Sequence, residues 1–416
     1  MIVGPVAVVI VGGGAAGVFA AIACAEAGGD VTVIERGARP LAKVRISGGG
    51  RCNVTHACFD PRALAANYPR GAKALLGPLR AFGPRDTAAW FGARGVRLKA
   101  EPDGRMFPVS DSSETIVECL LGAASAAGVR LRAATEVEAI ARCDGGGFAV
   151  TLAGGETLRC ERVLLATGGC RTAAGGVLAA ALGHTLEPPV PSLFTFTVET
   201  PWVRELAGVS VAAAEIAVVE SRLRERGAVL LTHWGVTGPA VLRLSAWGAR
   251  ALHALDYRFA LRVNWLPEVD AAGLATAFAA GRREQAARLV VNAPIPPLPG
   301  RLWERLVLAA GIARETRWAE LPRGAARALA AQLSGTELAV TGKSLNKDEF
   351  VTCGGVRLAE VQFKTMESRV CPGLHLAGEL LDIDGVTGGF NFQAAWTTGW
   401  IAGRAMAGAP VDARAG

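Results

Sequence analysis

Four residues near the start of the chain have the types and spacing needed to bind a dinucleotide. Gly12, Gly14 and Gly17 follow an apolar run and open an alanine-rich segment. In this pattern the first glycine permits a tight strand-to-helix turn, the second lets a pyrophosphate approach the backbone, and the third allows helix and strand to pack closely. Glu35 ends a second apolar run, where a carboxylate would bind ribose hydroxyls. Together these residues predict a dinucleotide-binding site on a strand–helix–strand unit.

A glycine triplet follows in the stretch Ser47-Gly-Gly-Gly-Arg-Cys-Asn53. Glycine loses more backbone freedom on folding than any other residue. Three in succession therefore indicate a ligand close to bare backbone, or a turn that other residues cannot adopt. Because the triplet lies soon after Glu35, we expect it near the middle of the bound dinucleotide. Arg51 and Lys43 are the cations expected to complement phosphate charge there.

Two further glycine-rich stretches identify the cofactor as a flavin. An apolar run leads into Thr167-Gly168-Gly169, which would bring more backbone close to the dinucleotide. Near the C-terminus a strand predicted at 374–377 leads to Glu379, which would bind the hydroxyls of a flexible polyol. A helix predicted from about Phe392, after Gly388-Gly389, would direct its positive end toward an electron-rich ring. A polyol and a reducible ring favour FAD over NAD.

The flavin carries hydride or electrons, so the protein must supply protons and position the substrate. Reduction of a conjugated C=C bond needs an acid that protonates the carbon beside the hydride acceptor. The candidate acids are His233 in the stretch THWGVTGP, Cys52 beside the glycine triplet and, with less support, His56. Arg51 is the candidate for polarising a substrate carbonyl, with phosphate pairing as the alternative. Cys52 is alternatively a small core residue, and His233 a loop residue held by a hydrogen bond.

Four stretches together resemble the bacterial YhiN/BaiN-like flavoprotein family. They are the N-terminal fingerprint, KVRISGGGRCNVTH (43–56), LLTHWGVTGPAVLRLS (230–245) and the block at 351–403. The resemblance covers essentially the whole chain and implies a fold of the two-dinucleotide-binding-domain flavoprotein type, with non-covalent FAD and an inserted domain. It also implies that Val137 meets the adenine through its backbone. From the motifs and the resemblance together, the residues expected at FAD are Gly12, Gly14, Ala15, Ala16, Gly17, Glu35, Arg36, Lys43, Ser47, Gly49, Gly50, Arg51, Cys52, Asn53, Val137, Thr167, Gly168, Gly169, Gly378, Glu379, Asp384, Gly388, Gly389, Asn391 and Gln393.

The FAD motifs fall into two separated parts of the chain. We therefore expect an α/β, Rossmann-like FAD-binding domain that is discontinuous and formed by residues 1–190 and 341–416. Residues 191–265 contain alternating apolar patterns typical of strands, which predict an inserted β-rich, barrel-like subdomain. Residues 266–340 contain short helical patterns around a proline-rich stretch, which predict a helical subdomain.

Composition excludes several classes of protein. Hydrophobic residues make up 51% and charged residues 19%, which excludes a disordered chain. No apolar run approaches the ~20 residues of a membrane span, and the opening residues predict a strand and not a signal peptide. The 9 cysteines lack metal-ligand spacing, so no metal site is expected, and their odd number favours reduced thiols in the cytoplasm. The net charge of +7 suits an anionic partner, or reflects composition bias alone.

Three functions remain open at this point. The resemblance suggests an NAD(P)H-dependent reductase of a small conjugated enone, a reductase of uridine in ribosomal RNA, or an oxidase of a small amine or amino ketone that uses O2. The second is favoured by the insert, which carries 17 arginines against 13 acidic residues over 191–340. Since the chain has a single dinucleotide fingerprint, NAD(P)H would visit the flavin transiently or bind through the insert. We favour the reductase class, with a small molecule or ribosomal RNA as partner and no membrane.

Overall fold

The computed structural model describes residues 7–170, 174–219, 221–344 and 351–411. The chain divides into two compact units, of which the first is Met1–Ser192 with Lys347–Gly416 and the second is Leu193–Asn346. The strands are β1 Ala7–Val11, β2 Asp30–Ile34, β3 Thr55–His56, β4 Leu98–Ala100, β5 Arg105–Pro108, β6 Arg130–Arg132, β7 Val137–Arg142, β8 Phe148–Leu152, β9 Thr157–Cys160, β10 Arg162–Leu165, β11 Leu186–Ser192, β12 Thr195–Val198, β13 Ser210–Val218, β14 Arg224–Leu231, β15 Gly235–Thr237, β16 Phe259–Asn264, β17 Thr336–Ser344, β18 Val351–Val356, β19 Val361–Gln362, β20 Glu367–Ser368 and β21 Leu374–Leu376. The α-helices are α1 Ala15–Glu26, α2 Ala42–Gly50, α3 Pro61–Ala65, α4 Ala72–Ala81, α5 Pro84–Gly92, α6 Ser113–Ala126, α7 Ala174–Ala181, α8 Pro201–Glu205, α9 Pro239–Trp247, α10 Ala249–Ala254, α11 Ala271–Glu284, α12 Gly300–Ala309, α13 Arg323–Gly335 and α14 Phe390–Met406.

The first unit is built on a central sheet whose order, over the described residues, is β19-β20-β21-β10-β1-β2-β6. The five strands from β21 to β6 are parallel. Val8, Val9 and Ile10 are buried, as expected for a strand covered on both faces. Parallel strands end at the same edge, so the residues after β1, β2, β10 and β21 are brought together at the carboxyl edge of this sheet.

Helices α1 and α14 pack side by side through small residues. A side chain on Gly399 would collide with the carbonyl oxygen of Ala16, and one on Gly403 would collide with that of Ala20. These two contacts advance by four residues on each helix, so the helices run in the same direction. Nine residues of α14 precede Gly399 and one of α1 precedes Ala16. At 1.5 Å per residue, the N-terminus of α14 therefore extends about 12 Å beyond the N-terminus of α1, measured along the helices from this contact.

Three smaller β-structures complete the first unit in the described part of the chain. Strands β3, β5 and β4 form one antiparallel sheet, β7, β8 and β9 form a second, and β11 pairs with β18. Strand β3 of the first sheet lies shortly after the glycine triplet in the sequence. Glu101 follows β4 and Asp111 follows β5, and both contact Arg51, as described below.

The second unit contains a closed barrel of strands β12, β15, β14, β13, β16 and β17. One hydrophobic core includes barrel residues such as Phe196 and helix residues such as Trp303. The barrel takes its last strand, β17, from beyond the helices, so residues 341–344 lie in the barrel although we expected them in the FAD-binding domain. The division of the insert at residue 265 stays a prediction.

The predicted fold class is confirmed: a Rossmann-like α/β unit is interrupted by a barrel with helices. Element bounds differ slightly from those expected. The apolar run before Gly12 forms the first strand, which is observed at Ala7–Val11. The last helix begins at Phe390 and not near Phe392, because Gly389 ends the preceding loop with a positive φ. Among the described residues no helix combines the length and apolarity needed to span a membrane.

Candidate FAD-binding site

The turn between β1 and α1 presents main-chain N–H groups at the carboxyl edge of the sheet. Gly12 has a φ of +111°, and a side chain there would collide with the carbonyl oxygen of Ala166. The N–H of Val18 donates to the carbonyl of Gly14 (2.9 Å), so the N–H groups before it precede the hydrogen-bond ladder of α1. Apart from the adjoining chain, no atom of the described residues lies within 4 Å of the position that a Cβ of Gly14 would take. The space at Gly14 is therefore open, as binding of a pyrophosphate there requires. Gly17 packs against Gly12, as its place in the fingerprint predicts.

Glu35 holds this turn in place from the end of β2. Its Oε2 accepts a hydrogen bond from the N–H of Gly13 (2.7 Å), and its Oε1 accepts one from the N–H of Gly37 (2.6 Å). Each carboxylate oxygen can accept a second hydrogen bond, so Glu35 can brace the turn and still bind a hydroxyl. The neighbouring Arg36 lies 3.9 Å from Glu136 and is largely exposed.

The chain before β7 lies beside Glu35. The N–H of Thr135 donates to the main-chain oxygen of Glu35 (2.9 Å), and that of Ala134 donates to the oxygen of Gly37 (2.9 Å). Val137 begins β7 two residues later with a buried side chain. Its position beside the ribose-binding candidate agrees with the expected contact to adenine, which stays a prediction.

The glycine triplet forms a turn of left-handed residues. Ser47 leaves the helical conformation of α2, and Gly48, Gly49 and Gly50 have φ values of +58°, +68° and +84°. The N–H of Cys52 donates to the carbonyl of Ser47 (3.0 Å) and closes the turn. No atom lies within 4 Å of a Cβ placed on Gly49 or Gly50. Both glycines therefore present bare backbone, and their positive φ values favour glycine at these positions.

Cys52 does not fit the role of an acid or redox group. Its side chain is fully buried in a hydrophobic cluster that includes Val18, Val54 and Trp396. Burial raises the pKa of the Cys52 thiol to about 12. The thiol is therefore protonated near neutral pH and is surrounded by apolar side chains, which agrees with the alternative interpretation of Cys52 as a core residue. Direct contact of its side chain with FAD is excluded by the same burial.

Arg51 is paired with carboxylates. Its Nη1 donates to Glu101 Oε1 (2.8 Å) and Asp111 Oδ1 (3.2 Å), and the guanidinium carbon lies 3.9 Å from the centre of the Phe107 ring. The bond to Glu101 raises the pKa of Arg51. The guanidinium therefore stays charged, and two carboxylates already balance its charge, which differs from the expected pairing with a phosphate or a substrate carbonyl.

Three predicted segments meet at Glu379, just after β21. Its Oε2 accepts a hydrogen bond from Lys43 Nζ (2.6 Å), and its Oε1 accepts one from the N–H of Thr352 (2.8 Å). A Cβ on Gly169 would lie 2.8 Å from the same Oε1. Lys43, like Arg51, is therefore paired with a carboxylate. Thr352 was missed because its contact is made by the main chain, which leaves no signal in the residue type.

Thr167 and Gly378 test whether a cofactor fits between these segments. Thr167 Oγ1 is buried and has no hydrogen-bond partner among the described residues, which a bound ligand could supply. Among the described residues outside the adjoining chain, nothing lies within 4 Å of a Cβ on Gly168, so the space there is open. A Cβ on Gly378 would lie 2.9 Å from Ala16 Cβ, so Gly378 lies close to the start of α1. An orphaned hydroxyl, bare glycines and the start of α1 thus fit an elongated, phosphate-bearing ligand such as FAD.

The start of α14 provides a second helix N-terminus on the same side. With its amide oriented to satisfy both neighbours, Asn53 donates to the carbonyl of Thr55 (3.1 Å) and accepts from the N–H of Gly389 (3.0 Å). The side chain of Asn391 bonds both the N–H (2.8 Å) and the carbonyl (2.9 Å) of Gly385. Both asparagines therefore hold the loop that leads into α14, and the positive end of this helix remains directed outward.

His56 lies beside this loop. Its ring stacks on Phe390 (4.7 Å between centroids), and a Cβ on Gly388 would lie 3.5 Å from it. The Nε2 atom lies 3.1 Å from the carbonyl oxygen of Asp103, which can only accept, so Nε2 carries the hydrogen. Burial lowers the pKa of His56. The ring is therefore neutral near pH 7 and is poorly suited to donate a proton to a substrate.

Gln393 and Asp384 do not fit the expected contact with FAD, because both are fully buried. Gln393 Oε1 accepts a hydrogen bond from Thr55 Oγ1 (2.6 Å). Asp384 forms an ion pair with Arg70 and accepts from Ser192 Oγ (2.7 Å). Their polar atoms serve contacts within the first unit, where they fix α14 and the loop before it.

His233 lies in the second unit, in the turn between β14 and β15. Its side chain is exposed, and no hydrogen bond to it is recorded in the described part of the chain. The loop bond of the alternative interpretation is made instead by Thr232, whose Oγ1 donates to the carbonyl of Gly235 (3.0 Å). A catalytic role for His233 stays a prediction.

The fold and the glycine-lined edge define a dinucleotide-binding protein of the flavoprotein type. The family model described as "HI0933-like protein Rossmann domain" matches residues 6–405. The chain is 31% identical over 411 residues to the 3-dehydro-bile acid delta(4,6)-reductase of Clostridium scindens, covering 96% of this chain and 99% of that protein. It is 32% identical over 401 residues to the ribosomal RNA dihydrouridine synthase of Escherichia coli, covering 94% and 96%.

Among solved structures, the chain resembles 3-ketosteroid-delta4-(5alpha)-dehydrogenase of Rhodococcus jostii, with a TM-score of 0.51, 18% identity and 97% of both chains covered. At this identity the likeness concerns the fold alone. The match over nearly the whole chain shows that this protein belongs to the HI0933-like family. The predicted family and the assignment as a flavoprotein oxidoreductase are thereby confirmed.

Proposed function

We propose that this protein is an FAD-dependent reductase that saturates a conjugated C=C bond and uses NAD(P)H as a transient hydride donor. The main support is the similarity, over nearly the whole chain, to relatives named as a bile acid delta(4,6)-reductase and a ribosomal RNA dihydrouridine synthase. Both names describe the addition of two hydrogens across a C=C bond that is conjugated to a carbonyl group. The two relatives thus support the same reaction, reduction of a conjugated C=C bond, on two different substrates.

The carboxyl edge of the central sheet would hold FAD. The N–H groups at the start of α1 would bind the pyrophosphate, Glu35 the ribose of the adenosine, and Glu379 the ribityl hydroxyls. The start of α14 lies about 12 Å farther out than that of α1 and would direct its positive end toward the ring system. Once bound and reduced by NAD(P)H, FAD would supply the hydride that is added to the electron-poor alkene carbon.

His233 is the residue to which this proposal assigns the proton. Cys52 is enclosed in the core, and Arg51 is held by two carboxylates. His233 is exposed and forms no hydrogen bond among the described residues. Imidazole is the side chain that enzymes use most often as a general acid. His233→Gln should therefore lower turnover at least tenfold while FAD stays bound, and Cys52→Ala, the control, should leave turnover within about twofold.

The substrate is proposed as a small enone or a uridine of ribosomal RNA, and one experiment separates them. The purified protein is reduced anaerobically with NADPH or NADH, and its reoxidation is followed at the flavin absorbance band. Reoxidation by a 3-keto-Δ4 steroid supports the first substrate class. Reoxidation by ribosomal RNA, with binding that weakens steeply with salt, supports the second. Rapid reoxidation by O2 alone, with peroxide formed when an amine is added, would replace the reductase proposal with an oxidase.

The proposal includes a reducing compartment such as the cytoplasm. The chain has 9 cysteines, an odd number without regular spacing, which favours reduced thiols. Reduced thiols are the normal state in the cytoplasm.

A further inference from the structure

Arg51 connects the end of the glycine turn to charged residues around the β4–β5 hairpin. One of its nitrogens donates to both Glu101 and Asp111. Glu101 also accepts a hydrogen bond from Arg105 (2.9 Å), and Asp111 is paired with Lys99. The two carboxylates are thus fixed by other cations on the hairpin, so they form a rigid receptor for the guanidinium.

Phe107 contacts both ends of the glycine turn. Its ring is fully buried, and the central carbon of the Arg51 guanidinium lies over the ring, 3.9 Å from its centre. At the start of the turn, a Cβ on Gly48 would lie 3.1 Å from the edge of the same ring. Phe107 therefore contacts the turn at Gly48, where the turn starts, and at Arg51, which follows it and packs on the ring by a cation–π contact.

This arrangement opposes the use of Arg51 as a phosphate ligand. To reach a phosphate, the guanidinium would have to leave two carboxylates and the face of an aromatic ring. The turn itself offers a simpler source of donors, because Gly49 and Gly50 are exposed and have open space above them. Their orientation depends on three successive residues with positive φ, which glycine adopts readily but also leaves readily.

We propose that Arg51 is a positioning residue: it fixes the Gly48–Gly50 turn so that its main chain faces FAD, and it does not pair with the phosphates. This inference rests on the proposed binding of FAD at this edge. Under this proposal, Glu101 and Asp111 favour cofactor binding because they hold Arg51 in place. They do so although both are anions near the expected position of an anionic ligand.

The test compares three variants with the wild-type holoenzyme: Arg51→Met, Arg51→Lys and the double variant E101Q/D111N. The measured quantity is the rate of FAD release, followed by the rise in fluorescence of free flavin. If Arg51 positions the turn, Arg51→Met and E101Q/D111N should both release FAD about three- to tenfold faster, which corresponds to the loss of one or two partly exposed ion pairs. Arg51→Lys should not rescue, because an ammonium cannot bridge both carboxylates and stack on the ring.

Phosphate pairing predicts the opposite pattern. Arg51→Lys would then retain FAD, since lysine binds phosphate as a point charge, and E101Q/D111N would release FAD more slowly, since it frees the guanidinium. Either result overturns the inference, and so does a double variant that behaves as wild type. Combining Arg51→Met with E101Q/D111N should add no further loss. Arg262→Met serves as control, because it removes an exposed ion pair with Glu337 in the second unit, and it should release FAD at the wild-type rate. A wild-type protein that binds no FAD would instead refute the proposed function itself.

Discussion

Replacing Gly14 by valine should abolish FAD binding without harming the fold. Gly14 has φ −82° and ψ −171°, an extended conformation that valine adopts readily. Nothing lies within 4 Å of its Cβ position, so the free protein has room for the new side chain. The added methyl groups would occupy the space in front of the N–H groups that begin α1, where the pyrophosphate is expected.

The magnitudes follow from that geometry. In the absence of FAD, the free energy of unfolding should change by less than ~1 kcal/mol, because a glycine replaced without strain loses entropy only in the unfolded chain. FAD at 100 times its Kd stabilises the wild-type protein by about 2.7 kcal/mol, and this increment should vanish in Gly14→Val. The assay is thermal unfolding with and without added FAD, together with the flavin absorbance of the purified protein.

Gly17→Val is the matched control. It lies three residues from Gly14 and introduces the same side chain, but it should have a different effect on stability. A Cβ on Gly17 would collide with the carbonyl oxygen of Gly12, so this variant should lose stability even without FAD. Purification of Gly14→Val with a full complement of FAD would refute pyrophosphate binding in front of Gly14. If Gly14→Val unfolds at the same low temperature as Gly17→Val, then Gly14 does not have room for a side chain.

Two further predictions concern Glu379 and His375. Glu379→Ala should weaken FAD affinity more than it changes the KM for NAD(P)H. Equal effects on both would argue that this carboxylate does not touch the ribityl chain. His375 is 2% exposed, and burial lowers the pKa of its imidazole to about 4, so between pH 6.5 and 4 the unfolded chain binds the extra proton. Stability should therefore fall as pH falls through that window, by up to roughly 3 kcal/mol. Urea unfolding of His375→Leu should show a flatter pH dependence, and identical slopes for both proteins would contradict this assignment.

The parts of the site that could be predicted from sequence are those in which chemistry and local structure coincide. Gly12, Gly14, Gly17 and Glu35 lie on one continuous strand–helix–strand segment, so their spacing alone placed them at one edge of a sheet. The triplet glycines were recognised for the same reason, since bare backbone is a property of the residue itself. What the spacing could not provide was the set of contacts from distant segments, such as the main-chain N–H of Thr352.

Some polar residues expected at FAD are buried in the structure. A polar residue near a cofactor motif is expected to face the cofactor, but a helix also buries one of its faces. Gln393 shares the buried face of α14 with Thr397, four residues later, and the two are hydrogen-bonded (3.0 Å). That i,i+4 spacing was a usable signal. Similarly, the alternation Thr-Glu-Leu-Ala-Val at 336–340 marks β17, whose pairing with two distant strands closes the barrel.

The cations at the FAD-binding edge illustrate how folding changes the meaning of a charge. In sequence, Lys43 and Arg51 are basic residues that flank a glycine-rich turn, and phosphate pairing is the natural expectation. The fold supplies each with a carboxylate from far along the chain, Glu379 for Lys43 and Glu101 for Arg51. Once these pairs form, the positive potential for an anionic ligand comes from the N-termini of α1 and α14. The net charge of +7 therefore does not describe the charge at this edge. In the proposal made above, main-chain N–H groups would bind the phosphates, and Arg51 would position those of the glycine turn.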